Sequence, residues 1–347
     1  RLARSVMRRP WWYLVGALAV LAVLAAPVAH IRFGGVDARV VPASIESRAV
    51  ADALTARFPQ ARPEPIELLT TGADQAGASA LAAQISALPG VADVGLVATR
   101  ADSTLFTVDY PGDPNGSAAI QVVREIRAVR APPGATVGVT GYTADLADQL
   151  HGLGARLPWM VLVVVLVALV LLFAAFGSVV LPVKAVLMNL VSLGAAFGVV
   201  VVIFQDGHFA DWLGYTATGF IEPTDPILMV AVLFGLATDY EVFLLSRVRE
   251  EWDAGADNAT AVATGLQRTG RIISSAALLL IVVVVGFSTG RTGFIKLIGV
   301  GMIAAILVDV TLVRALLVPA TMRLLGRWNW WAPGLLGQLA APLRRRM

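Results

Sequence analysis

Cysteine is absent from the 347 residues, which excludes disulfides, thiolate catalysis and cysteine-ligated metal. The three histidines, His30, His151 and His208, are far apart in sequence, so neither a zinc site nor any other metal centre is expected. Charged residues make up only 15% of the chain, against about a quarter in a soluble domain. Enzyme signatures are missing as well. There is no Walker loop, no Gly-x-Ser-x-Gly and no His-Glu-x-x-His, so ATP hydrolysis and the common hydrolase chemistries have no support. An intramembrane aspartyl protease would need Tyr-Asp and Gly-x-Gly-Asp settings. Here Thr238-Asp239-Tyr240 reverses the first and the second does not occur. Neither an enzyme nor a bound cofactor is expected.

What is present is apolar: 57% of the residues are hydrophobic and the mean hydropathy is +0.75. A membrane helix needs about 20 mostly apolar residues, and six stretches qualify: Trp11 to Ala29, then about 157–176, 182–204, 226–246, 272–289 and 294–319. The first is too long for the apolar core of a secretory leader and is followed by a poor cleavage site, Ala-Pro-Val-Ala-His. It reads as a retained anchor. The net charge of +3 does not indicate nucleic acid as a partner, because the arginines gather at the ends of the apolar runs. Arg1, Arg4, Arg8 and Arg9 precede the first span. Arg247, Arg249, Arg268 and Arg271 lie between spans four and five, and Arg323, Arg327 and Arg344 to Arg346 follow the sixth. Residues 205–225 carry no arginine or lysine. The positive-inside rule then puts both termini in the cytoplasm and residues 30–150 outside. An alanine- and arginine-rich chain with two lysines also fits a high-GC bacterial coding sequence.

Residues 30–150 shift to Pro, Gly, Asp and Thr. A short helix is expected over 42–57, followed by a strand (64–70), a helix (74–88), two strands (91–98 and 105–110), a helix (115–129) and a strand (135–140). This order suggests a ferredoxin-like split βαβ. The expected fold is thus a six-helix membrane bundle with an inserted α+β extracytoplasmic domain. The expected divisions are 1–29 for the cytoplasmic start and first span, 30–150 for the outer domain and 151–320 for five further spans. Residues 321–347 are expected to form a basic, amphipathic cytoplasmic tail lying on anionic lipid. Residues 257–267 read as a separate connecting helix, and the tryptophans at 11, 12, 212, 328, 330 and 331 as interfacial belts.

An acid at mid-membrane costs at least about 2.5 to 3.5 kcal/mol and needs a reason. Asp239 in span four and Asp309 in span six are predicted to sit at similar depth. Asp239 shares a helical face with Gly235 and Val232, which would permit close approach of another helix. It is read as a group that takes up and releases a proton, with Tyr240 as its hydrogen-bond partner. Asp309 is equally well explained as structural. Glu241, about 200° round the helix, is expected to reach Arg247 or water. Arg314, about 140° from Asp309 on an α-helix, is not expected to pair with it and would snorkel to the interface. Thr238, Ser274, Ser275 and Asn189 are lesser polar candidates of the kind that usually pack helices together.

The run Phe234-Gly-Leu-Ala-Thr-Asp-Tyr-Glu-Val-Phe-Leu-Leu-Ser-Arg247 resembles the MMPL family of the RND transporter superfamily. Residues 176–189, 307–319 and 326–331 agree, and Gly141-Tyr-Thr-Ala-Asp145 looks like the family's exit from its outer, porter-type domain. The resemblance implies twelve spans in two similar halves, which use the proton gradient to carry lipids or other amphiphiles towards the cell surface. It implies that an Asp-Tyr pair from each half meets at the membrane centre, a role carried here by Asp239 and Tyr240. Glu-Val-Phe after Asp-Tyr is similar to the carboxy-terminal half. The partner would then be a missing amino-terminal half or a second copy, alongside protons, membrane lipids and a lipophilic substrate. The alternative is a lipid-binding sensor or scaffold that does not transport, or a protein-export accessory of the same superfamily.

Overall fold

A computed structural model describes residues 2–58 and 64–333. In chain order the helices and strands are α1 (Leu2–Arg8), α2 (Pro10–Ala25), α3 (Glu46–Arg57), β1 (Ile66–Thr71), α4 (Gln75–Ser86), β2 (Asp93–Arg100), β3 (Ser103–Asp109), α5 (Ser117–Ala128), β4 (Thr136–Thr140) and α6 (Tyr142–Phe176). Then follow α7 (Val180–Val200), α8 (Ala210–Leu213), α9 (Thr224–Asp253), α10 (Asn258–Ser288), α11 (Gly293–Val308) and α12 (Val318–Leu325). Two π-helical segments extend the spans, Val201–Gln205 after α7 and Asp309–Leu317 between α11 and α12. The chain falls into two compact units: residues 1–32, 40–42 and 159–347 in one, and 33–39 and 43–158 in the other.

Among the described residues six helical stretches are long and apolar enough to span a bilayer: Pro10–His30, Tyr142–Phe176, Val180–Gln205, Thr224–Asp253, Asn258–Ser288 and Gly293–Trp330. Each contains or overlaps the corresponding apolar run in the sequence. The connecting helix expected over 257–267 does not stand apart. It is the first part of α10, which begins where the Asp257 carboxylate accepts a hydrogen bond from the Ala259 N–H at 3.2 Å and runs unbroken to Ser288. With no proline or exposed turn signal between 258 and 288, nothing in the chain interrupts it.

Burial separates the spans. Leu181, Ala185, Ala195, Ala196 and Val201 of the third span are inaccessible, so α7 is a central post. The first, second and fifth spans show Val23, Leu171, Leu279 and Val282 to the outside, as helices facing hydrocarbon do. Small residues set the closest crossings. A Cβ on Gly198 would stand 1.7 Å from the Leu24 carbonyl oxygen, and one on Gly265 would stand 2.6 Å from a Val248 methyl. The backbones of α7 and α2, and those of α10 and α9, touch only because these side chains are missing.

The last span also corrects the reading of the tail. Trp330 is not an interfacial residue; it is 9% exposed, stacks on Trp252 at 6.0 Å between centroids and carries Arg249 over its ring at 4.8 Å. Asn329 beside it is fully buried and donates to the carbonyls of Met322 (2.8 Å) and Gly326 (2.7 Å). The polar work of ending the helix is thus internal. The expectation for the tail beyond residue 333 lies outside the described residues.

The second unit is built on a four-stranded sheet in the order β2-β3-β1-β4, every neighbouring pair antiparallel. Along β1 and β3 burial alternates, the period of two that one buried face imposes. Ile66, Leu68, Phe106 and Val108 form that face and pack on Leu81 and Ile85 of α4 and Val123 and Ile126 of α5. A Gly-rich break precedes each return: Gly90 and Gly134 both adopt positive φ, at 83° and 76°, where a side chain would be strained.

Candidate functional site

Several polar residues of the membrane unit gather beside the middle of α9. Asp239 lies fifteen residues after Thr224, about 22 Å along the helix at 1.5 Å per residue. Tyr240 lines a small cavity shared with Asn189 and Ser192 of α7, Ala305 and Ile306 of α11, and Asp309. Its volume of about 20 Å³ is on the order of one water molecule.

Asp309, which lines this cavity, is paired with Arg314. Arg314 Nε donates to Asp309 Oδ2 at 2.5 Å, Nη2 donates to the Ala237 carbonyl of α9 at 2.7 Å, and the guanidinium lies over the Tyr240 ring at 5.2 Å. Both side chains are withdrawn from the surface. This corrects the sequence reading that the two do not pair. That reading assumed 100° per residue, whereas residues 309–317 are wound as a π-helix. The wider turn, with its i→i+5 repeat, brings positions five apart onto one face. A second correction concerns Glu241. It is 4% exposed, and Arg247, its expected partner, instead donates to Glu250 at 2.7 Å. Glu241 lies within electrostatic range of Lys184 on α7, Arg314 and Asp309. Lys184 is itself 7% exposed. The sequence held a signal for this: Lys184 is one of only two lysines, and it falls inside an apolar run.

Four charged groups, two of each sign, therefore meet inside the bundle. The ammonium and guanidinium offset the two carboxylates, which is the condition for keeping such groups in a low-dielectric interior. Glu241 Oε1, Lys184 Nζ, Asp309 Oδ1 and Arg314 Nη1 are buried without a hydrogen-bond partner among the described residues.

Asp239 stands on the other side of α9. It is exposed, as are Val232 and Gly235 on the same face, and it makes no hydrogen bond or ion pair among the described residues. A Cβ on Gly235 would meet nothing within 4 Å. Thr238 turns inward to its own helix, its hydroxyl donating to the Phe234 carbonyl at 2.8 Å. Ser274 and Ser275 are exposed on α10, and neither lines the cavity beside Tyr240. No group of three or more His, Cys, Asp or Glu residues able to hold a metal occurs among the described residues.

Six apolar helices with charge at mid-depth define a multi-pass integral membrane protein. Comparison with known proteins gives the family. The MMPL family matches residues 39–336, and the chain belongs to it. It is 42% identical over 99% of its length to a membrane protein of Streptomyces coelicolor, covering 47% of that protein. It is 36% identical to the trehalose monomycolate exporter MmpL3 of Mycobacterium tuberculosis, over 96% of this chain and 37% of the relative. It is 35% identical to the mycolic acid-containing lipids exporter MmpL11 of Mycolicibacterium smegmatis, over 96% of this chain and 36% of the relative. The chain thus spans between about a third and a half of the length of these curated relatives.

Proposed function

We propose that the chain is one half of an exporter of lipids or lipophilic metabolites, driven by the proton gradient, with Asp239 as the group that carries the proton and the adjacent Tyr240, held by Arg314, as the second residue of the relay. One observation carries this reading: a carboxyl midway along a spanning helix, on a face left open in this chain. Left against acyl chains, it would cost at least about 2.5 to 3.5 kcal/mol. The cost disappears if a second polar helix covers that face, and Gly235 and Val232 leave the space for one. The cover is the other half of a complete transporter or a second copy of this chain, arranged about an axis along the membrane normal. Relatives named as lipid exporters support the cargo class.

In this scheme the ion-paired cluster behind α9 is the rigid side of the site. Arg314 fixes the Tyr240 ring and the Ala237 carbonyl, so the residue beside Asp239 keeps its orientation while Asp239 gains and loses charge. Asp309 supports Tyr240 through Arg314, and Thr238 supports the helix. Both termini face the cytoplasm. The sheet-containing unit lies outside and is read as a ferredoxin-like, porter-type domain offering the lipid an apolar passage. Support for the fold comes from the strand order β2-β3-β1-β4, in which each strand-helix-strand pair is split by one antiparallel strand.

The test is Asp239→Asn in the complete assembly, reconstituted in vesicles with an imposed pH gradient. Lipid export and the accompanying proton flux are expected to fall to background. Export at the wild-type rate would overturn the assignment.

A further inference from the structure

The fold leaves a second polar feature that the proton site does not use. Helix α1 is pinned to the membrane unit by Val6, which is fully buried, and by Met7, which packs on the core. Its other side presents Arg4 and Arg8, and Arg9 follows; all three are exposed. None takes part in an ion pair among the described residues. Arg4 and Arg8 overhang a groove of about 730 Å³ whose other wall is α10. They also border an adjoining groove of about 640 Å³ that reaches Trp12 and Tyr13.

The α10 wall is a single stripe at helical spacing. Thr260, Thr264 and Ser274 supply hydroxyls, and Ala263 and Gly270 supply room between them. From Thr260 to Ser274 the stripe is about 21 Å long at 1.5 Å per residue. It starts beside guanidinium groups and runs into the apolar part of the α10 span. Trp12, 79% exposed, and Tyr13, tied to Ser5 by a 2.8 Å hydrogen bond, stand at the entrance, the position aromatic side chains take at the headgroup level. Among the described residues the lining of both grooves contains no aspartate or glutamate.

We propose that this groove is a binding site for an anionic phospholipid. The phosphate sits between Arg4 and Arg8, whose planar guanidinium groups match phosphate oxygens. The glycerol region meets the threonine hydroxyls, and an acyl chain lies along the small residues towards Ser274. A headgroup bearing a quaternary ammonium would find no carboxylate to meet it, so the site discriminates between headgroups by charge. Ser274 thereby acquires a role apart from the proton site. The proposal rests on the membrane unit alone and is independent of the Asp239 reading.

The test uses the whole chain in detergent, loaded in turn with dioleoyl phosphatidylglycerol and dioleoyl phosphatidylcholine, with retained lipid counted by native mass spectrometry. Wild type is expected to retain the phosphatidylglycerol about 30-fold more tightly, the effect of two arginines near an anionic headgroup. The double variant Arg4→Gln, Arg8→Gln loses that preference. Ala263→Phe, which fills the groove and keeps both arginines, loses lipid of either kind. Equal retention of the two lipids by wild type would overturn the proposal, as would undiminished phosphatidylglycerol binding by either variant. Displacement of the lipid by millimolar inorganic phosphate would overturn the part assigned to the acyl chain.

Discussion

The two faces of α9 handle charge in opposite ways. Behind the helix, Glu241, Lys184 and Arg314 are buried and Asp309 is largely so, and their charges balance within the chain. In front, Asp239 is exposed and has no internal partner. Asp239 and Asp309 are the same residue type at comparable positions along their spans, fifteen residues after Thr224 and sixteen after Gly293, so position along a helix alone does not tell what an intramembrane acid does. The difference is that Asp309 is held by a guanidinium at 2.5 Å, while Asp239 remains available to something outside this chain.

The strongest way to break the comparison is to remove the cation. Arg314→Met leaves the Asp309 carboxylate buried without its partner, which costs about 3–5 kcal/mol. Thermal unfolding of the detergent-solubilised chain is expected to shift down steeply, with Arg314→Lys in between because a lysine cannot hold Asp309 and the Ala237 carbonyl together. An unchanged melting temperature in Arg314→Met would mean that the cluster is not a stabilising ion pair, and the two faces would lose their contrast.

Glycines sharpen the same contrast at smaller cost. Gly198→Ala drives a methyl into the Leu24 carbonyl and is expected to destabilise by about 1–3 kcal/mol. Gly235→Ala enters open space and is expected to stabilise the isolated chain by about 0.5–1 kcal/mol. In the complete assembly the order reverses in kind, since Gly235→Leu is expected to impair export by blocking the covering helix. Asp239→Asn is expected to change the stability of the isolated chain by no more than about 0.5 kcal/mol, because no contact within the chain is lost. A large drop there would place a partner for Asp239 inside this chain.

Much of this arrangement is legible from residue order, and the part that is not has a definite cause. Six apolar runs locate six spans, because the bilayer imposes length and composition on each helix separately. The face shared by Val232, Gly235 and Asp239 follows from regular α-helical spacing, and the structure leaves all three exposed. The pairing of Asp309 with Arg314 does not follow, because it depends on a π-helical stretch that a reading at regular α-helical spacing does not include. The surroundings of Glu241 do not follow either, because the cations within electrostatic range of it, Lys184 and Arg314, come from other helices, 57 residues before it and 73 after it. The same holds for Trp330, whose aromatic character fits a membrane interface and a buried stack equally well.

The smallest expected effect extends the comparison to the sheet-containing unit, where Glu64, Asp37 and Asp113 lie near one another. Glu64 is partly buried, and that burial, with the nearby Asp37 and Asp113 carboxylates, raises its pKa above the ordinary value of 4.5. Arg39 bonds to Asp37 at 2.6 Å and stands 3.5 Å from Asp113, so its charge is engaged by the other two acids. The folded unit then holds the Glu64 proton more tightly than the unfolded chain does. Its contribution to stability is fully present below the ordinary carboxylate value and is lost as the pH rises through the raised one. This is opposite in sign to an acid held by a cation, whose contribution is lost as the pH falls. Glu64→Gln is expected to remove that decline, most visibly in the amide exchange of β1, which begins two residues later at Ile66. Parallel pH curves for wild type and Glu64→Gln would show that Asp37 and Asp113 do not act on Glu64, and that the sheet-containing unit tolerates its acids through solvent alone.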